Sequence, residues 1–406
     1  MMNCKTVLAL LLCSVLTTTT AFAEAHRTFK RPADLVVITQ NQYLGADLAP
    51  VVAAPDGLSF NLEVINALTT IANNNLPERA SALAQTIKQR RPHFVALQEV
   101  FAFDCIDPIG AGRCALFDGA FNDHLTATTT ALAEQGADYN VAAVVQNLTL
   151  PPSALGLPGI PVFLDPSAPP IFVSVIDRDV ILARSDIETT IVDFGCVRVS
   201  IDGCNFETVA EATLPGPGDT PVPVRIERGF VAVDATINGA SYRFVNTHLE
   251  VQNPSPDPLA PFLQAAQMSE LWQAILMNQQ PGQRLVVAGD INSSPDDAAF
   301  PIPGGVTVQP PYAQLANGTD LFGNPLPYAM TDAWSLLRFP RKGYTCCQLA
   351  DLSNARSLHD ERIDVIFTFP APRRAFANVL DSRVWDKTRS GLWPSDHGSV
   401  IARMKY

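Results

Sequence analysis

Val286-Val287-Ala288-Gly289-Asp290-Ile291-Asn292-Ser293-Ser294-Pro295 begins as an apolar run and breaks into a glycine and a series of polar residues. Such a run, rich in β-branched residues and closed by a turn signal, reads as a buried strand over Leu285 to Ala288. The strand ends by presenting a carboxylate, Asp290, and a carboxamide, Asn292, two positions apart. A strand end is a rigid mount, and two polar groups on one mount suit a site that works by positioning.

The same design recurs along the chain. Leu35-Val36-Val37-Ile38 leads to Asn41, Phe94-Val95-Ala96-Leu97 leads to Gln98-Glu99, and Tyr242-Arg243-Phe244-Val245 leads to Asn246-Thr247-His248. Asp364-Val365-Ile366-Phe367 carries its acid at the start. Phe230 to Ile237 followed by Asn238-Gly239 is a strong hairpin signal leading into the Tyr242 strand. Helices fall between: Glu78 to Arg91 places Ala80, Leu83, Ala84 and Ile87 on one face and stops at Pro92, and Leu263 to Asn278 aligns Ala266, Leu271, Trp272 and Ile275. Mixed sheets covered by helices follow.

Lys5, the apolar run Val7 to Leu16 and Ala21-Phe22-Ala23 have the form of a secretory signal peptide over residues 1–23. Cys13 within the run does not make a lipobox, because Leu12 is too large. A secreted or periplasmic protein is expected, with no later segment giving the ~18 apolar residues a span requires. The remainder, 24–406, reads as one domain, because the polar strand ends run from Asn41 to His397 and must converge. The stretches rich in proline and glycine, Leu150 to Pro170, Leu214 to Pro223, Asn253 to Pro261 and Ser294 to Pro311, read as surface excursions on it.

Hydrophobic content of 47% beside 17% charged residues implies a real core rather than disorder. The formal net charge of −12 opposes long-range attraction to nucleic-acid backbones and anionic lipid faces, though not a small phosphorylated substrate. Six cysteines follow the leader. Cys105 with Cys114 and Cys196 with Cys204 would each close a short insertion, and no spacing resembles a zinc site. Adjacent Cys346 and Cys347 would have Cα atoms ~3.8 Å apart across a trans peptide, below the usual disulfide range.

Asn41, Glu99, His248, Asp290, Asn292, Asp364, Asp396 and His397 together form a kit for metal-assisted hydrolysis of a phosphate ester: hard oxygen ligands, a base for water, and donors for phosphoryl oxygens. The segments Gln40-Asn41-Gln42-Tyr43-Leu44-Gly45, Leu97-Gln98-Glu99-Val100, Asn246-Thr247-His248-Leu249-Glu250, Gly289-Asp290-Ile291-Asn292-Ser293, Glu361-Arg362-Ile363-Asp364 and Ser395-Asp396-His397 carry it. In this order they resemble the motifs of the endonuclease/exonuclease/phosphatase superfamily. The resemblance implies an α/β fold, a four-layered sandwich of two mixed β-sheets packed face to face with helices outside. It implies Mg²⁺, with Mn²⁺ as an alternative, on Glu99 with Asn41 and Asp396 near the metal or its waters. Asp290 would position or deprotonate the attacking water, and Asn292 would hold it or a phosphoryl oxygen. His397, oriented by Asp364, would donate to the scissile phosphate, while His248 and Arg228 would neutralise phosphoryl charge.

Each residue has a plainer alternative. Glu99 could be a solvated loop acid, His248 a structural histidine, Asp364 a partner of Arg362, and Arg228 one member of a surface ion pair with its charged neighbours. Asp177-Arg178-Asp179 suggests another metal cluster, but reads better as the start of the strand Val180-Ile181-Leu182. The expected function is an exported phosphoesterase cleaving a phosphodiester in a small or lipid head-group substrate. A secreted nuclease and an idle binding module are the alternatives.

Overall fold

Alternate side chains of the strand Arg284–Asp290 go to opposite faces of its sheet, as the period of two requires. Val286 and Ala288 enter one apolar cluster with Leu35, Val37, Phe94, Ala96, Phe244 and Ile366. Leu285 and Val287 enter another with Met268, Leu271, Trp272 and Ile275 of the helix Leu259–Asn278. Val36 and Ile38 face a third cluster with Ala80, Leu83, Ala84 and Ile87 of the helix Leu76–Arg90. Strands buried on both faces therefore make four layers, helix, sheet, sheet and helix. Each fully buried Val, Leu, Ile or Phe contributes about 1.5–3 kcal/mol to holding the layers together.

This architecture is that of a computed structural model describing residues 34–151, 156–215, 221–252, 259–338 and 341–406. The signal peptide expected over 1–23 lies outside the described residues. The first sheet runs in the order Arg374–Val379, Val400–Lys405, Asp34–Asn41, Phe94–Gln98, Ile171–Arg184, Ala102–Ile106, with Tyr139–Leu150 and Ile160–Val162 also on Ile171–Arg184. The second runs Thr331–Asp332, Asp364–Phe369, Arg284–Asp290, Ala240–His248, Gly229–Ile237, Gly203–Asn205, Val199–Ser200, with Thr189–Ile191 beside Gly229–Ile237. Both are mixed. Asp34–Asn41 is parallel to Phe94–Gln98, and Ala240–His248 to Arg284–Asp290, among antiparallel neighbours.

The Asn238-Gly239 hairpin forms as expected, with both turn residues at positive φ and Ile237 facing Ala240. The helix expected from Glu78 begins two residues earlier, at Leu76, where the Asn75 side chain caps it, and the helices Ala49–Val52 and Gly57–Asn73 precede it. The excursions carry structure of their own, including the ribbons Ala210–Pro215 with Pro221–Ile226 and Phe300–Ile302 with Val306–Val308. Among the described residues no helix is long and apolar enough to cross a membrane. Cys105 pairs with Cys114 and Cys196 with Cys204. Cys346 is bonded to Cys347 across a cis peptide, with Cα atoms 3.0 Å apart rather than at the trans spacing.

Candidate active site

The alternation that builds the layers also builds the site. Residues 286 and 288 point between the sheets, so Asp290 does too, at the strand's end. The same parity carries Asn41 beyond Val37, His248 beyond Phe244, and Asp364 before Ile366. Register aligns them across the second sheet: His248 lies opposite Asp290, and Asp290 opposite Asp364. Gly289 permits this close pairing, because a Cβ there would lie 2.0 Å from the Thr247 carbonyl oxygen. Its part is close approach rather than a turn; the chain turns later, at Asn292, where φ is 48°.

Asn41 ties the two sheets together. Its Nδ2 donates to Glu99 Oε1 at 2.9 Å and to Asp290 Oδ2 at 3.0 Å. Glu99 leaves the strand parity through a left-handed φ of 54°, and its Oε2 accepts from Leu44 N at 2.9 Å. Beneath them Gln98 Nε2 donates to Asn246 Oδ1 at 2.6 Å, and Asn246 Nδ2 donates to the carbonyls of Leu97 and Val180. These bonds satisfy polar groups that would otherwise be costly at that depth.

On one side of Asp290 stands His397. Its Nδ1 is 2.8 Å from Asp364 Oδ2 and 3.7 Å from Asp290 Oδ2. Burial works against charge on this imidazole, but Asp364, Asp396 and Asp290 outweigh it and hold it well above the usual histidine range. On the other side, His248 Nε2 is 3.6 Å from Asp290 Oδ2 and 3.3 Å from Asn292 Nδ2, while its Nδ1 faces Arg228 Nη1 at 3.0 Å. Burial, then the charges of Arg228 and His397, push His248 well below that range. Burial followed by the neighbouring Asp364 raises Asp290. Asp290 Oδ1 accepts from Asn292 N at 3.0 Å, which fixes the carboxylate's plane.

Two of the plainer alternatives, those for Asp364 and Arg228, bear directly on ion pairs in the structure. Arg362 pairs with Asp332 at 2.7 Å, leaving Asp364 to His397. Glu227 pairs with Arg198 and lies 3.9 Å from Arg225, while Arg228 turns inward to Asp177 at 3.8 Å and Glu250 at 3.7 Å. All nine sequence-derived positions therefore lie in one connected neighbourhood.

The sequence reading missed part of that neighbourhood. Asp177 and Asp179 do not start a strand; they lie within Ile171–Arg184, on the inward parity of Ile181 and Ala183. Asn147 Nδ2 reaches them at 3.4 and 2.9 Å. Burial, with Glu99 adding to it against the lowering effect of Arg228, pushes Asp177 up to about 7. Burial and the charge of Asp177 drive Asp179 well above the carboxylate range. Two acids on the core parity of an otherwise apolar strand were the available signal.

The donor set suits a hard divalent cation. Glu99 and Asp396 offer carboxylate oxygens, the ligand chemistry of Mg²⁺ or Mn²⁺, while the Asn41 amide turns its nitrogen to Glu99 and its oxygen accepts from Tyr43 N at 2.9 Å. Asp396 is pushed up to about 7 by burial, and Glu99 and Asp290 add to that against the opposing charge of His397. Crowding acids this closely is what a cation would relieve. Asp290, Asp364 and His397 have donor atoms within 4.8 Å of one another, and Asp364 Oδ1 is buried without a hydrogen-bond partner.

Carboxylates, imidazoles and carboxamides thus meet at the edge of two packed sheets, and the family follows from the sequence match. The chain belongs to the Endonuclease/Exonuclease/phosphatase family, whose model matches residues 58–397. It is thus a member of a family of hydrolases acting on phosphate esters. Solved structures similar to it include an endonuclease/exonuclease/phosphatase family protein from Leptotrichia buccalis, 14% identical with a TM-score of 0.49, covering 92% of this chain and 100% of that one. A mannosyl-6-phosphatase from Bacteroides thetaiotaomicron is also 14% identical, TM-score 0.47, with the same coverages. TDP2 from D. rerio, complexed with single strand DNA product, is 16% identical, TM-score 0.45, again covering 92% and 100%. No curated protein sequence matches the chain.

Proposed function

We propose that this chain is an exported, divalent-metal-dependent phosphoesterase that cleaves a phosphodiester in a small or lipid head-group substrate by in-line attack of water. The reading treats residues 24–406 as one catalytic domain behind a cleaved leader. The observation that carries it is the reach of Asn41 Nδ2 to both Glu99 and Asp290, with His397 and His248 flanking Asp290 at 3.7 and 3.6 Å. Glu99, Asn41 and Asp396 would hold Mg²⁺ or Mn²⁺. The bound cation supplies charge stabilisation at the phosphoryl oxygens.

The chain's own residues supply the rest. Asp290, held in plane by Asn292 N and Asn41 Nδ2, positions the attacking water and accepts its proton. Asp364 holds Nδ1 of His397 and keeps the ring protonated, so Nε2 can donate to the scissile phosphate. Arg228 lies beside His248, and the two give the phosphoryl oxygens one cationic and one neutral donor. Asn292 Nδ2 is anchored on the Leu249 carbonyl at 2.9 Å, which fixes its amide near the same centre.

A net charge of −12 favours a small or zwitterionic substrate over duplex DNA, since one phosphate needs few cationic contacts whereas a polyanion needs many. The two local disulfides fit an oxidising compartment outside the cytosol. A hydrolysis panel of bis(p-nitrophenyl) phosphate, sphingomyelin, nucleotides, single-stranded and duplex DNA, run with Mg²⁺, Mn²⁺ or chelator, tests the reading. Chelator-sensitive turnover is expected, fastest on small or lipid diesters. Turnover that persists in chelator removes the metal dependence. Duplex DNA as the best substrate, with a rate falling steeply as salt rises, replaces the substrate class with a nuclease.

A further inference from the structure

Segment 343–348 lies across the His397 side of the site and is clamped at both ends. Thr345 N donates to the Glu361 carbonyl at 2.6 Å, and Thr345 Oγ1 accepts from the backbone N–H groups of Ile363 and Asp364. Gly398 N donates to the Thr345 carbonyl at 2.8 Å, and Gln348 N to the Asp396 carbonyl at 2.9 Å. The two sulfurs between these anchors are therefore held against the catalytic edge. Cys346 is buried and Cys347 exposed. Cys347 Sγ is 3.9 Å from Nε2 of His397, the nitrogen not occupied by Asp364.

We propose that, when the Cys346–Cys347 disulfide is reduced, its two sulfurs and Nε2 of His397 bind a thiophilic divalent cation such as Zn²⁺ or Cd²⁺, and that its binding withdraws His397 from the phosphate. The three donor atoms already lie within 4.8 Å of one another. A tetrahedral ion with Zn–S near 2.3 Å and Zn–N near 2.0–2.1 Å sets its donors about 3.5–3.8 Å apart; the Cys347 Sγ-to-Nε2 distance of 3.9 Å needs almost no adjustment, and the two sulfurs, bonded in the oxidised form, separate to that range once reduced. Asp364 on Nδ1 is the partner that a metal-bound imidazole ordinarily keeps on its second nitrogen. Thiolates select soft cations, whereas Glu99, Asn41 and Asp396 offer only oxygen, so the two sites discriminate by ligand chemistry. Reduction of the disulfide by a thiol or phosphine takes up two electrons and two protons, giving two thiols. Each thiol then releases its proton on binding the cation.

The binding half of this inference needs no assumption about the reaction, and the inhibitory half rests on the proposed role of His397. The test titrates the full, phosphine-reduced chain with Cd²⁺ in excess Mg²⁺ and follows thiolate-to-metal charge-transfer absorption. The Cys346→Ser/Cys347→Ser double variant serves as reference, because the remaining cysteines respond equally in both. The wild type should bind one further Cd²⁺ per chain, and His397→Asn should weaken that added site about tenfold or more. The unreduced wild type should lack it. In parallel, Cd²⁺ should depress bis(p-nitrophenyl) phosphate hydrolysis at least tenfold in reduced wild type, reversibly on chelation and Mg²⁺ addition, and much less in the double variant. Equal Cd²⁺ uptake by wild type and double variant overturns the site even if hydrolysis is present. Selective uptake with undiminished hydrolysis overturns the inhibition, and selective uptake with no hydrolysis in any sample supports the site while sinking the phosphoesterase reading.

Discussion

His397 and His248 stand almost symmetrically about Asp290, 3.7 and 3.6 Å from the same oxygen, yet the chain gives them opposite charge states. His397 has Asp364 on Nδ1 and acids around it, so burial fails to discharge the ring. His248 has Arg228 on Nδ1, so burial and the guanidinium act together and the ring stays neutral. Residue type alone does not distinguish them; the group on Nδ1 does. A site that must donate a proton on one side and tolerate a cation on the other can thus use one side chain twice.

The largest expected effect comes from removing the oxygen both rings share. Asp290→Asn preserves shape and the Asn292 contact but can neither accept a proton from water nor hold charge between the imidazoles. Its kcat should fall ~10²–10⁴-fold while KM changes little, since loss of a general base acts in the transition state. Wild-type kcat in this variant would show that Asp290 is only a structural link.

The His397 half was legible because its residues sit at strand ends, where polar residues after an apolar run are conspicuous. Asn41, Glu99 and Asp290 carry that mark after their strands and Asp364 before its own, and parity sets the face that Asn41, Asp290 and Asp364 reach, whereas Asp396 and His397 lie in the bend before Val400–Lys405. The support of the His248 half was legible only as two acids inside an apolar strand, not in what they meet. Asp177 and Asp179 lie inside a strand and meet Asn147 and Arg228 only through pairings across three separate segments. Glu250 was visible beside His248, but nothing in sequence says that it turns back to Arg228. Cys347 escaped for a similar reason: cysteine spacing does not suggest a metal site when the third donor is fifty residues on, at His397. The sandwich was legible because its strands are apolar on both faces, whereas the small ribbons in the proline-rich excursions have too few residues to show a period.

A smaller effect should follow from converting the environment of one ring toward that of the other. Asp364→Asn keeps a hydrogen-bond acceptor for Nδ1 but removes the charge that holds the proton on His397. Hydrolysis should fall about 10²-fold, near the lower end for loss of an acid group. The alkaline limb of the kcat/KM profile should move to lower pH. A slower enzyme with an unmoved limb would mean that Asp364 only braces the ring.

The smallest effect should appear in folding stability and has opposite signs for the two rings. The folded-state pKa of His397 is raised above the 6.5 of an unperturbed histidine, so its contribution is fully present below pH 6.5 and is lost as pH rises through the raised value. The folded-state pKa of His248 is depressed below 6.5, so it imposes no penalty above pH 6.5 and an increasing one as pH falls and the unfolded chain takes up the proton. Each pK unit of separation corresponds to about 1.4 kcal/mol. Thermal denaturation in chelator, which removes any bound cation from the comparison, should therefore show His397→Asn losing most stability at mildly acidic pH and less under alkaline conditions. His248→Asn should show the reverse, its deficit shrinking as pH falls because the wild type alone carries the cost of excluding a proton. Parallel pH dependences in the two variants would mean that the groups on Nδ1 do not set the charge of either ring.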